Sequence, residues 1–375
     1  MGAHAQALLE FDYPRVGVYF ESYVPVPSSH VAQSVLDIAT LALSQRQPGS
    51  LQIVPDGSAA DPASLGVAVI LSNYTSPEGQ QTRQQMARAA QDQLEALLRD
   101  TPRTNDGAIS HRVEEVSLWS DFMYMVPPFL AYYGTVNQNS SLIQEAYDQC
   151  RLYRQYLRTP ETNLWQHILW GAHPDPGLWA TGNGWAAAGM MRVIATIRNS
   201  DYASQFKSQA DDLSDWTQEI VTAAFKTSLT RDNLMHNYLN ESNTFGDATS
   251  TALLTSVAYR LAQFDVTSDL IDQANTLRNK IYNSVSGSTG VLSPVVDPLN
   301  FGQRLSSGGI SPEGQAFVLL MESAYRDWSR MSNEAGDPGV APPSSSNQPS
   351  GAPTTVFVPA VTLVVMVACL VLVLV

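Results

Sequence analysis

The sequence, 375 residues long, is short of cysteine, of lysine and of any run of basic residues. Of its two cysteines, Cys150 and Cys369, the second lies in an apolar C-terminal stretch, so the folded part has no intramolecular disulfide to form. Cys150 reads as a small core residue. Neither CxxC nor HExxH occurs, which removes the usual zinc patterns and leaves no metal or other cofactor to expect. Only three of the 21 basic residues are lysines, and the formal net charge is −14. With so little to neutralise phosphates, the composition argues against a nucleic-acid partner. Runs of alternating β-branched residues between hairpin turns are also lacking, which argues against a sheet protein.

Apolar sequence is plentiful at the C-terminus. Residues 358–375, VPAVTLVVMVACLVLVLV, carry no charge. They follow a Pro/Ser-rich stretch, PGVAPPSSSNQPSGAPTT. Small residues at Ser345, Ser346 and Asn347, a spacer of about eight residues and an apolar tail match a GPI-attachment signal. A single C-terminal transmembrane anchor is the alternative. Three acceptor triplets, at Asn73, Asn139 and Asn240, fit the secretory route. The expected location is therefore the extracellular face of the plasma membrane or the cell wall. The start, MGAHAQALLEFDYPRV, has neither a basic run nor an apolar leader core, so the gene model is expected to lack its first exon.

Between these ends the pattern is helical. Apolar residues recur at three- and four-residue steps over roughly 31–46, 64–73, 77–100, 119–134, 140–157, 182–199, 203–225, 246–263, 267–283 and 312–331. Some of these segments, such as 80–100, are amphipathic and charged and read as outer helices. Others are apolar nearly all round and read as inner helices. Inner-type starts fall near Leu65, Asp121, Gly184, Ala248 and Glu313, giving steps of about 56, 63, 64 and 65 residues. A constant period of two helices predicts stacked helical hairpins. The expected fold is all-α, an (α/α)6 barrel of six helical hairpins with an incomplete first hairpin. Its parts are an N-terminal segment 1–30, a barrel 31–331, a stalk 332–355 and an anchor-like tail 356–375.

Chemistry concentrates at two inner-helix starts. LWSDFMYMVPPFLAYYG (118–134) is strongly apolar but places one carboxylate, Asp121, near its beginning. Such a charge is costly unless it is paired or used. LWATGNGWAAAGMMRVIATI (178–197) opens with Trp179, Asn183 and Trp185. A carboxylate beside indoles suits a carbohydrate cleft.

These segments resemble the unsaturated uronyl hydrolases of glycoside hydrolase families 88 and 105, which include unsaturated rhamnogalacturonyl hydrolases. Trp119-x-Asp121 looks like their catalytic helix, and WATGNGW like their WARGNGW. GAISHR, LWQHILW, GDATSTALL and SPEGQAF follow in the same order, over roughly residues 30–331. The resemblance implies a glycoside hydrolase acting on an oligosaccharide, with Asp121 as general acid and base in hydration of the C4=C5 bond of a terminal unsaturated uronic acid. Desolvation by Trp119, Phe122 and Tyr124 is expected to raise its pKa. The implied sugar contacts are His111, His167, Trp119, Tyr124, Trp179, Asn183 and Trp185, with Asp61 as a second acid. Thr181 stands where the family has arginine. A sugar carboxylate then needs another partner, such as His111, His167 or Arg304, or the substrate is not a uronide.

Two other readings use the same barrel. An endo-mannanase or transglycosidase of the cell wall would need adjacent aspartates, and the pair available, Asp211-Asp212, falls in an outer-type helix. A non-catalytic carbohydrate-binding barrel is the other. Asp247 reads as a helix N-cap, and Glu313, after Ser311-Pro312, as a first-turn acid. A monomer is expected.

Overall fold

The computed structural model describes residues 1–20, 31–77, 79–264 and 269–335. Eleven α-helices are described: α1 (Gly2–Asp12), α2 (Gln33–Ser44), α3 (Gly66–Thr75), α4 (Gln80–Glu95), α5 (Phe122–Val136), α6 (Ser140–Leu157), α7 (Ala180–Arg198), α8 (Lys207–Phe225), α9 (Ala248–Gln263), α10 (Ile271–Ser284) and α11 (Pro312–Ala335). The odd-numbered helices form an inner ring, each packed on the next, and α11 closes it against α1. The even-numbered helices are amphipathic and lie outside. This is the helical barrel that the period of the sequence predicts.

The ring differs from the expectation at its seam. The first hairpin was expected to be incomplete, yet α1 is a full inner helix and, with α2, completes it. The inner helix without an outer partner, among the described residues, is the last one, α11. The start of α1 is hard to read because its buried side includes Gln6 and Glu10. Both are used. Gln6 donates to Glu10 (2.8 Å), and Glu10 pairs with Arg260 of α9 (2.8 Å), which also holds Asp327 of α11 (2.8 Å). Arg326 donates to the carbonyls of Glu10 and Phe11, capping the end of α1. The seam is thus tied by buried charge, which is costly to break once formed.

Helices α5 and α7 meet closely because of two prolines. Pro127 and Pro128 lie inside α5 and have no N–H, so the carbonyls of Met123 and Tyr124 lose their helical partners. Buried Arg192 of α7 donates to the Tyr124 carbonyl at 3.1 Å. Gly189 lies against Met123: a Cβ built there would stand 1.9 Å from the Met123 carbonyl oxygen.

The N-terminal ends of the inner helices share one face, where the loops pair in short stretches. Strand β1 (Leu118–Trp119) is antiparallel to β2 (Ile168–Leu169), and β3 (Val296–Asp297) to β4 (Asn300–Arg304). Cys150 is buried in α6. The stalk and the anchor-like tail lie outside the described residues, and no helix among those described is long and apolar enough to cross a membrane.

Gly189→Ala is expected to force α7 from α5 and to destabilise the fold by at least about 2–3 kcal/mol. Urea denaturation measures it. A loss within about 0.5 kcal/mol would contradict the close approach.

Candidate active site

The inner-helix face opens into a cavity of about 400 Å³. Asp121 stands at its floor, immediately before α5. Although it occupies the N-cap position, its side chain caps nothing. Asp247, at the same place on α9, behaves differently. It accepts from the backbone N–H groups of Thr249, Ser250 and Val296 and from the Thr181 hydroxyl, at 2.8–3.1 Å. Asp247 is therefore consumed by structure, while Asp121 remains available to the cavity.

His167 holds Asp121 in place. Its Nε2 lies 3.4 Å from Asp121 Oδ2, and its Nδ1 lies 2.9 Å from Asp175 Oδ2. Asp175 also accepts from the Tyr238 hydroxyl (2.6 Å) and the Gly177 N–H (3.0 Å). The imidazole is enclosed by Trp179 (4.4 Å), Phe301 of β4 (4.5 Å) and Trp119 (5.7 Å). Burial opposes a charge on His167, but the two carboxylates prevail and raise its pKa. Conversely, burial pushes Asp121 up, and His167, with His111, outweighs it and leaves the carboxyl below its ordinary value. This corrects the expected upward shift: the aromatic pocket desolvates Asp121, but a cationic imidazole comes with it.

Four of the expected contact residues line the cavity with Asp121. His111 is stacked on Trp119 (4.7 Å, 11° between planes), with Nε2 at 3.2 Å from Ser58 Oγ and 4.0 Å from Asp61 Oδ2. Burial lowers the His111 pKa against the pull of Asp61 and Asp121, favouring the neutral ring. Trp179 and Trp185 also reach the wall, both largely buried, and Asp61 is half-exposed there.

Three others do not reach the cavity. Tyr124 lies one turn below Asp121, 1% exposed, against Trp185 and Arg192. Asn183 is wholly buried; its amide accepts from the Trp165 N–H and donates to the Trp165 and Trp179 carbonyls. It fixes a loop and is buried away from the cavity lining. His167 is buried behind the wall and acts on Asp121.

Arg304, offered for the missing arginine, is exposed on β4, donates to Ser293 and is not among the lining residues. Asp211 and Asp212 lie on the outer helix α8, bonded to Lys207 and Tyr147. Asp175, Tyr238 and Ser58 come from loops and Phe301 from the short strand β4, and none carried a periodic signal. Glu313, expected to be structural, reaches the cavity.

The sequence profile described as Glycosyl Hydrolase Family 88 matches residues 8–256. Solved structures share the fold at low identity. A possible member of family 105 from Salmonella enterica serovar Paratyphi A has 16% identity and a TM-score of 0.67, over 88% of this chain and 83% of that one. A family 88 glycosyl hydrolase from Bacteroides vulgatus has 11% identity and 0.54, over 87% and 98%. An alpha-1,6-mannanase from Salegentibacter has 15% identity and 0.56, over 87% and 88%. A comparison with curated proteins finds no match.

The His167 pairings have a pH signature. A raised imidazole stabilises the fold fully below its unfolded value of 6.5, and this is lost as pH rises through the higher folded value. The lowered Asp121 and Asp175 contribute fully above 3.8, and this is lost as pH falls through their lower folded values. Asp175→Asn should therefore cost most between about pH 4 and 6.5 and progressively less above it. Urea melts across pH test this. A cost independent of pH would contradict a charged His167.

Proposed function

The chain belongs to glycosyl hydrolase family 88, and from that membership we propose that it removes a terminal unsaturated uronic acid from polysaccharide-derived oligosaccharides, with Asp121 as the reacting carboxylate. The observation that carries this reading is the availability of Asp121: alone among the acids at the starts of α5 and α9, it is left unused by its helix and is oriented by His167 toward an aromatic cavity.

Hydration of a C4=C5 bond needs a proton at C4 and a water at C5. A carboxyl held below its ordinary value suits the second step, taking the proton of the attacking water. The first step needs a group that keeps its proton at neutral pH. Trp119 and Trp179 line the cavity and supply aromatic surface for a sugar ring. The cavity volume is in the range of small-molecule sites.

The lining favours a second reading as well. Among the described residues it holds Asp56, Asp61, Asp121 and Glu313 and neither lysine nor arginine. Thr181 is turned away, donating to Asp247. Among the lining side chains, only His111 and His4 can become cationic beside a sugar carboxylate, so a neutral glycoside is the alternative substrate.

Unsaturated galacturonyl and glucuronyl disaccharides are the test substrates, followed by loss of the ultraviolet absorbance of the conjugated double bond. The expected outcome is turnover that falls by about 10²–10⁴-fold in Asp121→Asn. Folded protein that leaves the absorbance unchanged would reject the uronide and turn the search to neutral glycans.

A further inference from the structure

The chain has seven tryptophans, and six of them are buried or half-buried. Trp170 is the exception, with 43% of its surface exposed. It follows β2, and β2 pairs with β1, whose Trp119 lines the cavity. A lone apolar side chain on a surface needs no explanation. The backbone beneath this one does. Trp170 has a φ of +67°, and Gly171 after it has +81°. Glycine takes that conformation freely, but a bulky side chain is rarely found in it.

The turn is fixed from both ends. The Ser117 hydroxyl donates to the Trp170 carbonyl at 3.2 Å, and the Ala172 N–H donates to Glu115 Oε1 at 2.8 Å. Gly171 lies close against both partners: a Cβ built there would stand 2.8 Å from Ser117 Oγ and 3.0 Å from Glu115 Oε1. Ser117 Oγ also accepts from the indole N–H of Trp119 at 2.8 Å. One hydroxyl therefore positions two tryptophans, Trp119 in the cavity and Trp170 outside it. The strained turn persists because these contacts over-determine it. What it presents to solvent is a flat ring in a set place.

The groups tied to this ring are polar. Tyr156, at the end of α6, meets it at 67° with centroids 5.2 Å apart. A T-shaped pair leaves at least one indole face uncovered by that neighbour. The Tyr156 hydroxyl donates to Asp106 Oδ1 (2.7 Å), which also accepts from the Thr104 hydroxyl. Asp106 and Glu115 are both exposed. A protein partner or a lipid surface would call for more apolar area beside the ring. A single apolar plate with hydroxyls and carboxylates at its rim matches a pyranose. The C–H face of the sugar lies flat on the indole, and its hydroxyls donate to the acceptors around it.

We propose that Trp170 is a second carbohydrate contact, a platform outside the cavity that holds a pyranose of a glycan chain. The choice of a glycan rests on the glycosidase reading of the cavity, since an enzyme of polysaccharide fragments meets its substrate as a chain. Holding the chain at a second point raises its effective concentration at the cleft. Affinity electrophoresis of the full chain, in gels containing polygalacturonate, rhamnogalacturonan, xylan or mannan, measures this contact without turnover. Asp121→Asn serves as the background, so that no polymer is consumed. At least one polymer should retard it. Adding Trp170→Ala, shown to be folded by circular dichroism, should weaken that binding about tenfold, and Trp170→Phe, which keeps a flat ring, should retain part of it. Retardation by none of the polymers, or equal retardation with and without Trp170→Ala, overturns the proposal.

A kinetic arm separates a platform from mere support of the loop. On the unsaturated disaccharides, Trp170→Ala in the otherwise wild-type chain should leave kcat and KM unchanged. On unsaturated chains of about ten residues it should raise KM about tenfold at constant kcat. A KM that does not move for the longer chains, or one that rises equally for both lengths, overturns the proposal. If the wild-type protein acts on neither length, the uronide reading fails, and electrophoresis alone decides the role of Trp170.

Discussion

A buried imidazole between two carboxylates sets the state of the whole site. His167 has no solvent to share its charge with, and Asp121 and Asp175 supply what water would. Tyr238 and Gly177 in turn hold Asp175, so a chain of contacts from two loops ends at one oxygen of Asp121. The consequence runs against the simplest view of a carboxyl in an aromatic pocket. Desolvation is present, but the cation brought in with it leaves Asp121 charged.

The scaffold makes the pairing possible by fixing the helix starts. Pro127 and Pro128 free two carbonyls inside α5; Arg192 of α7 takes up that of Tyr124, and that of Met123 lies against the bare backbone of Gly189. That contact sets the depth of α5, and with it the height of Asp121 above the core. At the seam, Arg260 ties Glu10 of α1 and Asp327 of α11, which places Glu313 on the opposite wall. Buried ionic contacts of this kind contribute more to position than to net stability.

Much of this was legible in the sequence. Inner helices are apolar on every side, so their starts and their constant spacing could be read from hydropathy alone, and the cost of burying a charge marked Asp121. Helix α1 escaped because Gln6 and Glu10 face inward, where a periodic pattern expects apolar residues. Tyr124 and Asn183 were assigned to the cavity because they sit beside the right residues in the sequence. Position along a helix start does not give direction, and both point into the protein. Asp175 and Tyr238 lie in loops whose only signal is the partner they meet in space. Glu313 looked like an ordinary first-turn acid, and only the ring closure shows that it reaches the cavity.

The central claim is that water is added across a sugar double bond at Asp121. Proton NMR of the product formed in D₂O from an unsaturated galacturonyl disaccharide tests it most directly. The account predicts one deuterium at C4 of the released uronic acid product, and none formed when Asp121→Asn replaces the wild-type chain. A product without deuterium at C4, or one formed equally well by the variant, would contradict it.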